Sequence, residues 1–426
     1  MLEKIYELFL KCTGISTDTR QISDGNLFVA LRGPNFNANK FAAMALDNGA
    51  LAAIIDDKEF EIPGKTILVK DGLLILQQLA IHHRRQLKIP VIGITGSNGK
   101  TTTKELIHAV LSTSFKTFAT KGNLNNHIGV PLSLLSIKQE HEIAIIEMGA
   151  NHIGEIARLS EISQPTHGLI TNIGKAHIGL FGGIEGIIRG KSELYDYLIR
   201  KKGTIFVNQN QEILMNMSKS MQNPIFYPNS RSYCPCDLLE ADPFVQFKTE
   251  AGKTVVTQLV GKYNFENIAT ALCVGKFFDV GADQATEAVA SYQPANNRSQ
   301  IIKKGTNTII LDAYNANPSS MEKAIENLAQ SQSKNKVAIV GDMFELGDDE
   351  QKEHEALGKL LKDQGIHDAF FCGALMKYAF DALGQGHYAQ DKTALIEILK
   401  KHSFSQAEIL IKASRGMALE DVVEFI

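Results

Sequence analysis

Residues 91–103 read Val-Ile-Gly-Ile-Thr-Gly-Ser-Asn-Gly-Lys-Thr-Thr-Thr, and no other stretch restricts the fold so sharply. A β-branched apolar run enters a glycine-rich turn, which opens into the helix-capable segment 102–111. Gly96 and Gly99 let the backbone curl so that successive N–H groups converge on one spot, where phosphate oxygens can sit. Lys100 adds a mobile positive charge, and Thr101 offers a hydroxyl to a magnesium ion. The spacing departs from the commonest phosphate loop. The position five residues before Gly99 holds Ile94, and the loop runs Thr95, Gly96, Ser97, Asn98, Gly99, Lys100, Thr101, Thr102. A nucleoside triphosphate is the expected ligand.

A chain of 426 residues exceeds one ordinary core, and three blocks suggest themselves. Residues 1–88 hold short strands (27–31, 52–55, 66–69) and helical stretches (40–48, 72–84). The run His82-His83-Arg84-Arg85 that closes them reads as a solvated helix end. Residues 89–296 start with the phosphate loop. Strand-like runs then recur at 116–119, 143–148, 168–173 and 203–208, separated by helix-length segments, which predicts a mostly parallel sheet with helices on both faces. Residues 225–260 look β-rich. Residues 297–426 alternate again, with strands near 308–311, 336–341, 369–372 and 408–411, as in a smaller open α/β domain.

A net charge of −3 without a basic stripe argues against nucleic acid as a partner. No run of 18 apolar residues exists to span a membrane. The first ten residues carry acids within an apolar pattern of helical spacing, an amphipathic helix and not a signal peptide. Five scattered cysteines, among them Cys234-Pro-Cys236 with no second pair or nearby histidine, fit reduced thiols in the cytoplasm.

Phosphoryl transfer needs hard oxygen ligands at strand ends near the loop. The run 143–149 supplies one, a buried-looking strand ending in Glu147. The next strand leads to His177, a second metal ligand or a proton acceptor. Asn123, Asn125 and Asn126 crowd one loop, where amides either recognise polar substrate or serve turns and a helix cap. Asp312, Tyr314 and Asn315 follow a strand directly, positioned to touch a ribose or base. Asn317 and Pro318 then start a helix. The polar segment 341–347 marks another strand end, and together these edges suggest a ligand held between domains.

These segments together resemble the Mur ligases, ATP-dependent amide-forming enzymes of peptidoglycan synthesis. The similarity runs from Asp18-Thr19-Arg20 to Lys412-Ala413-Ser414-Arg415-Gly416-Met417. It implies a small α/β N-terminal domain for a UDP-sugar, a central phosphate-loop ATPase domain and a C-terminal Rossmann-like domain that closes over nucleotide. It further implies ATP and Mg2+ as cofactors, UDP-N-acetylmuramoyl-tripeptide and D-alanyl-D-alanine as substrates, and a monomer. By motif, Thr17, Asp18 and Arg20 fall in the uridine region, while Asn123, Asn125 and Asn126 face the muramoyl-peptide. Thr101, Glu147 and His177 ligate metal. Lys191 matches a lysine that related ligases carry carbamylated, which makes it an anionic metal ligand. Asn267 is an adenine contact, and Arg298 reaches the phosphates. With Lys100, these form the implied catalytic set.

The chain departs from the family where Asn37-Ala38-Asn39 replaces Asp-Gly-His, where Tyr263 replaces His, where 207–210 lacks an acid, and where Ala413 replaces Gly. The competing readings are a sibling ligase or folylpolyglutamate synthetase adding one amino acid, or a nucleotide-gated scaffold without catalysis. The motifs at 123–131 and 312–318 oppose the first pair. Lys100, Thr101, Glu147, His177 and Lys191, all intact, oppose the scaffold.

Overall fold

The structure is a computed structural model and describes residues 1–294 and 297–426. The expected boundary between 296 and 297 lies beside Asn296, which with Ala295 is outside the described residues. The strands Gly14–Ser16, Asn26–Val29, Ala52–Ile55 and Thr66–Leu68 pair in parallel, in chain order. Every residue of the middle two is buried, as expected of a parallel sheet covered on both faces. The expected amphipathic helix is Leu2–Phe9, with Ile5 and Phe9 inward. Helix Gly72–Gln86 starts at Asp71, whose carboxylate accepts from the Leu74 N–H at 2.8 Å. Its Leu76 and Leu79 join a core that continues through Phe118, Leu134 and Ile156 of the second block.

That shared core overturns the reading of residues 82–85 as a solvated end for His83 and Arg84, while Arg85 is exposed. His83 and Arg84 are only 7% and 6% exposed. The Arg84 guanidinium donates to the carbonyls of Leu87, Ser163 and Gln164 at 2.9–3.1 Å. The last two close helix Glu155–Ser163, where unpaired carbonyls and the negative dipole end favour a cation. His83 meets the Ile137 carbonyl at 2.9 Å and the Tyr6 hydroxyl at 3.1 Å.

The second sheet has six parallel strands. Val91–Thr95 lies between Ile143–Glu147 and His167–Ile170. Thr117–Ala119 extends one side, and Thr204–Asn208 with Ile225–Tyr227 the other. The connection leaving Val91–Thr95 runs out to the edge strand Thr117–Ala119, whereas the one leaving Ile143–Glu147 crosses back to His167–Ile170, so the C-terminal end of Val91–Thr95 opens on the crevice where such sheets bind ligands. The β-rich stretch is a three-stranded antiparallel sheet of Asp237–Glu240, Phe244–Lys248 and Thr254–Val260. Val245, Phe247 and Leu259 pack it into one core with Leu106 and Val110 of helix Lys100–Leu111.

The third sheet is mixed, ordered Gln300–Lys304, Asn307–Leu311, Ala407–Lys412, Asn335–Gly341, Asp368–Cys372, His387–Ala389. Only its first pair is antiparallel. Its outer strands Gln300–Lys304 and His387–Ala389, and helix Met376–Leu383, are additions to the expected pattern. Among the described residues, no helix is long and apolar enough to cross a membrane.

Candidate functional site

The crevice at the end of Val91–Thr95 faces the C-terminal sheet across a cavity of about 860 Å³. Its floor is the glycine-rich turn. Gly99, at φ +77°, starts helix Lys100–Leu111, and a Cβ there would stand 2.7 Å from the Asn267 Oδ1. Gly96 is tighter, since its Cβ would fall 2.0 Å from the Thr171 Oγ1. Successive N–H groups of the loop are expected from sequence to converge on one spot, but two of them are used within the protein. Ser97 donates its own to the Asn172 carbonyl at 3.0 Å, and Asn98 donates to the Asn172 Oδ1 at 3.1 Å. These bonds lock the turn, and the first turn of the helix, which lacks intrahelical acceptors for its N–H groups, is an arrangement that suits an anion.

Lys100 curls back, its Nζ donating to the carbonyls of Gly96 at 2.7 Å and Ser97 at 3.2 Å. Burial lowers its pKa, and Arg298 pushes the same way against the pull of Glu147. Glu147 ends its strand 2% exposed. Its carboxylate accepts from the Thr101 hydroxyl at 2.9 Å and the Asn125 amide at 2.8 Å, with the Lys104 Nζ 3.9 Å away. Thr101 and Glu147, 46 residues apart in sequence, thus present a hydroxyl and a carboxylate together to the cavity.

Lys191, on helix Ile184–Lys201, is 1% exposed. Its Nζ donates to the Ala150 carbonyl at 3.2 Å and lies 5.2 Å from the Phe181 ring centroid. Burial, aided by Lys100, brings its pKa down to about 7. His177, at φ +56°, pairs through its Nδ1 with the Glu345 carboxylate of the third block. Burial lowers its pKa, and Glu345 opposes the shift.

The opposite wall belongs to the third block. The Arg298 guanidinium stacks 3.6 Å from the Tyr314 ring centroid. Asp312 accepts from the Ser299 N–H at 3.1 Å and pairs with Lys412, which also donates to the Asn315 carbonyl at 3.1 Å. Asn317 caps helix Pro318–Gln330 in a capping box, and its amide donates to the Asn98 Oδ1 at 2.8 Å. Lys175 reaches across as well, its N–H donating to the Ser319 hydroxyl at 2.6 Å and its Nζ pairing with Glu353 at 2.7 Å. The third block is therefore seated on the phosphate loop.

Most of the sequence-derived residues line this one cavity, from Ser97–Thr102 and Glu147 to His177, Asn267, Arg298, Asp312, Tyr314 and Asn315. Thr95 and Gly96 form the loop's approach, and Lys191 lies behind Ala150. Asn125 holds Glu147, whereas the Asn126 Oδ1 accepts from the N–H groups of Ile128 and Gly129 and so serves a helix start. Asn123 lines the cavity beside them. The Asn267 amide is engaged at both ends, accepting from the Thr103 hydroxyl at 2.9 Å and donating to the Asn264 Oδ1 at 2.8 Å.

Thr17, Asp18 and Arg20 do not line the cavity. Arg20 holds the Asp18 carboxyl down to about 2 through paired hydrogen bonds. At the departures, Asn39 is fully buried and exchanges hydrogen bonds with Asp56 at 2.7 and 2.9 Å. The Tyr263 hydroxyl meets the Ser299 Oγ at 2.8 Å. The missing acid near 207–210 is replaced from elsewhere, since Glu266 accepts from the amides of Asn208 and Asn210. Sequence reasoning passed over Lys104, Glu345 and Lys412. Each gains meaning only from a partner that folding brings near, although Glu345 lay in a segment already marked as polar and Lys412 opened the run at 412–417 that carries the resemblance.

Residues 94–275 match the model of the Mur ligase middle domain, and residues 297–415 that of the Mur ligase, glutamate ligase domain. The chain is 35% identical over 425 residues to the UDP-N-acetylmuramoyl-tripeptide--D-alanyl-D-alanine ligase of Bacillus subtilis, covering 96% of this chain and 92% of that protein. The Escherichia coli protein of the same name is 34% identical over 420 residues, with the same coverage. The structure superposes on a crystal structure of MurF from Acinetobacter baumannii with a TM-score of 0.88 at 32% identity, covering 100% and 98% of the two chains. It superposes on MurF ligase from Thermotoga maritima in complex with ADP with a TM-score of 0.85 at 27% identity, covering 98% and 97%. Full-length likeness at this identity, added to a phosphate loop facing a second α/β sheet, makes the chain a member of the Mur ligase family.

Proposed function

We propose that the chain is an ATP-dependent ligase joining D-alanyl-D-alanine to UDP-N-acetylmuramoyl-tripeptide, releasing ADP and phosphate in peptidoglycan precursor synthesis. The observation that carries this reading is the single cavity in which Lys100, Thr101 and Glu147 face Arg298, Asp312 and Tyr314. Residues 1–88 would hold the UDP-sugar, 89–296 the ATP phosphates, and 297–426 the nucleoside, in a monomer of the cytoplasm.

The Thr101 hydroxyl and the Glu147 carboxylate, 2.9 Å apart on the cavity floor, are hard oxygens of the kind magnesium takes while keeping several waters. His177 retains its second ring nitrogen, and Lys191 becomes an oxygen ligand if carbamylated, which needs the neutral amine that a pKa of about 7 makes accessible. Magnesium bound there would neutralise phosphate charge.

A carboxylate resists an amine because its charge repels the nucleophile and oxide is a hopeless leaving group. Phosphorylation removes both obstacles. The tripeptide's terminal carboxylate attacks the γ-phosphate, forming an acyl phosphate and ADP. The neutral amine of D-alanyl-D-alanine then attacks the carbonyl, and phosphate leaves from the tetrahedral intermediate. Lys100 and Arg298 spread the transferring charge, Asn123 and Asn125 orient the peptide, and Asp312 with Tyr314 hold the nucleoside. The third block, pinned through Asn317 and Lys175, keeps water from the acyl phosphate.

ADP release should require both the UDP-tripeptide and the dipeptide, and Lys100→Ala should lower turnover by about 100-fold or more. ADP release indifferent to the dipeptide, or a Lys100→Ala variant of normal activity, would overturn the reading.

A further inference from the structure

The cavity continues past Glu147 toward the contact of the second block with helix Gly72–Gln86, where a guanidinium stands among amides. Arg158, on helix Glu155–Ser163, lines it together with Asn123, Asn126, His127 and Asn151. Its Nη2 donates to the Gln77 Oε1 at 2.8 Å, and the Gln77 Nε2 donates to the His127 carbonyl at 3.0 Å. Gln77 is buried and comes from helix Gly72–Gln86. One carboxamide therefore sets the guanidinium and the asparagine-rich loop in a common frame.

The neighbouring carboxylates are committed elsewhere. Glu155 accepts from the N–H groups of Asn151 and His152, and Glu193 from those of Gly154 and Ala157. Glu161 approaches Arg158 only to 3.5 Å, with the two side chains 55% and 44% exposed, a geometry that contributes little. Arg158 keeps spare donors in the planar fork that matches a carboxylate.

This inference rests on the ligase reading, in which the phosphorylated carboxyl belongs to the third peptide residue. That residue then lies nearest Glu147, and Asn125, which holds Glu147, is two positions from His127. We propose that Arg158 binds a side-chain carboxylate on the third residue, making the enzyme selective for a diamino diacid over lysine. A lysine side chain lacks that carboxylate, so it would lose the bond and set its ammonium against the guanidinium without the compensating negative charge that diaminopimelate carries beside its own ammonium. The UDP diphosphate fits this place less well. Three residues, each spanning up to about 3.5 Å, and a sugar separate it from the reacting carboxyl.

The test is kcat/KM for UDP-N-acetylmuramoyl-tripeptides ending in diaminopimelate or in lysine, measured on the full chain, on Arg158→Gln and on Arg158→Lys. The unaltered protein should prefer diaminopimelate by about 10-fold or more. Arg158→Gln should bring the ratio near one through a higher KM for the diaminopimelate peptide, with the KM for ATP unchanged, and Arg158→Lys should keep part of the preference. No preference in the unaltered protein, a ratio untouched by Arg158→Gln, or equal losses on both peptides would overturn the proposal. If neither peptide supports dipeptide-dependent ADP release, the ligase reading fails first.

Discussion

Glu147→Gln keeps the shape of a central side chain and removes its charge. In the structure that carboxylate accepts from Thr101 and Asn125 and lies 3.9 Å from the Lys104 Nζ, both charged side chains being 3% exposed. At this distance the attraction is about 4 kcal/mol for an effective dielectric near 20. Desolvation offsets much of it, but stripping one partner from a buried pair costs about 3–5 kcal/mol, because the other charge is left behind. Glu105 stands 3.9 Å from the same ammonium and limits the damage. A loss of about 2 kcal/mol in unfolding free energy is therefore expected in urea titrations, below the cost for an isolated pair. Turnover, read as ADP release, should fall by about 100-fold or more, since the role proposed for the group is to stabilise charge that develops during transfer. The double variant Glu147→Gln/Lys104→Met removes the stranded ammonium and should regain stability without regaining turnover. Turnover in the single variant within about threefold of normal would refute the role of Glu147, as would recovery of turnover in the double variant.

Gly99→Ala places a methyl group 2.7 Å from the Asn267 Oδ1 at φ +77°, so calorimetry should find ADP affinity lost while most of the fold survives. Arg84→Ala leaves the carbonyls of Ser163 and Gln164 unpaired in the core and should lower unfolding free energy by about 3 kcal/mol in urea. Lys191 carries a pKa lowered from 10.5 to about 7. Below about pH 7 both folded and unfolded chains hold its proton, and the cost of a buried charge is felt in full. Between about 7 and 10.5 only the unfolded chain holds it, so stability from this group rises with pH. Lys191→Met should accordingly raise the melting temperature more at pH 6 than at pH 9, and under the proposed metal role it should also lose activity.

The phosphate loop was legible because its whole signal is local. Two glycines, a lysine and a threonine between a strand and a helix are one short stretch, and both glycines sit where a Cβ would collide. The strand-end positions of Glu147 and Asp312 were legible for the same reason, since burial patterns show where strands stop. Arg84 was misread because a charge run at a helix end gives no sign of carbonyls some 80 residues away. Lys412 pairs with Asp312 across 100 positions, and no pattern in either segment announces the pair. The turn read as aiming successive N–H groups at phosphate, but the Asn172 strand end claims those of Ser97 and Asn98. Contacts between distant strand ends are what a reading by neighbours misses.

Oxygen-18 placed in the tripeptide's terminal carboxylate follows the proposed chemistry most directly. If that carboxylate attacks the γ-phosphate above Glu147, one labelled oxygen must leave with inorganic phosphate when the peptide bond forms. Mass spectrometry of the released phosphate should show that transfer in step with product. Label retained wholly in the peptide product and in water, with unlabelled phosphate, would contradict activation through an acyl phosphate.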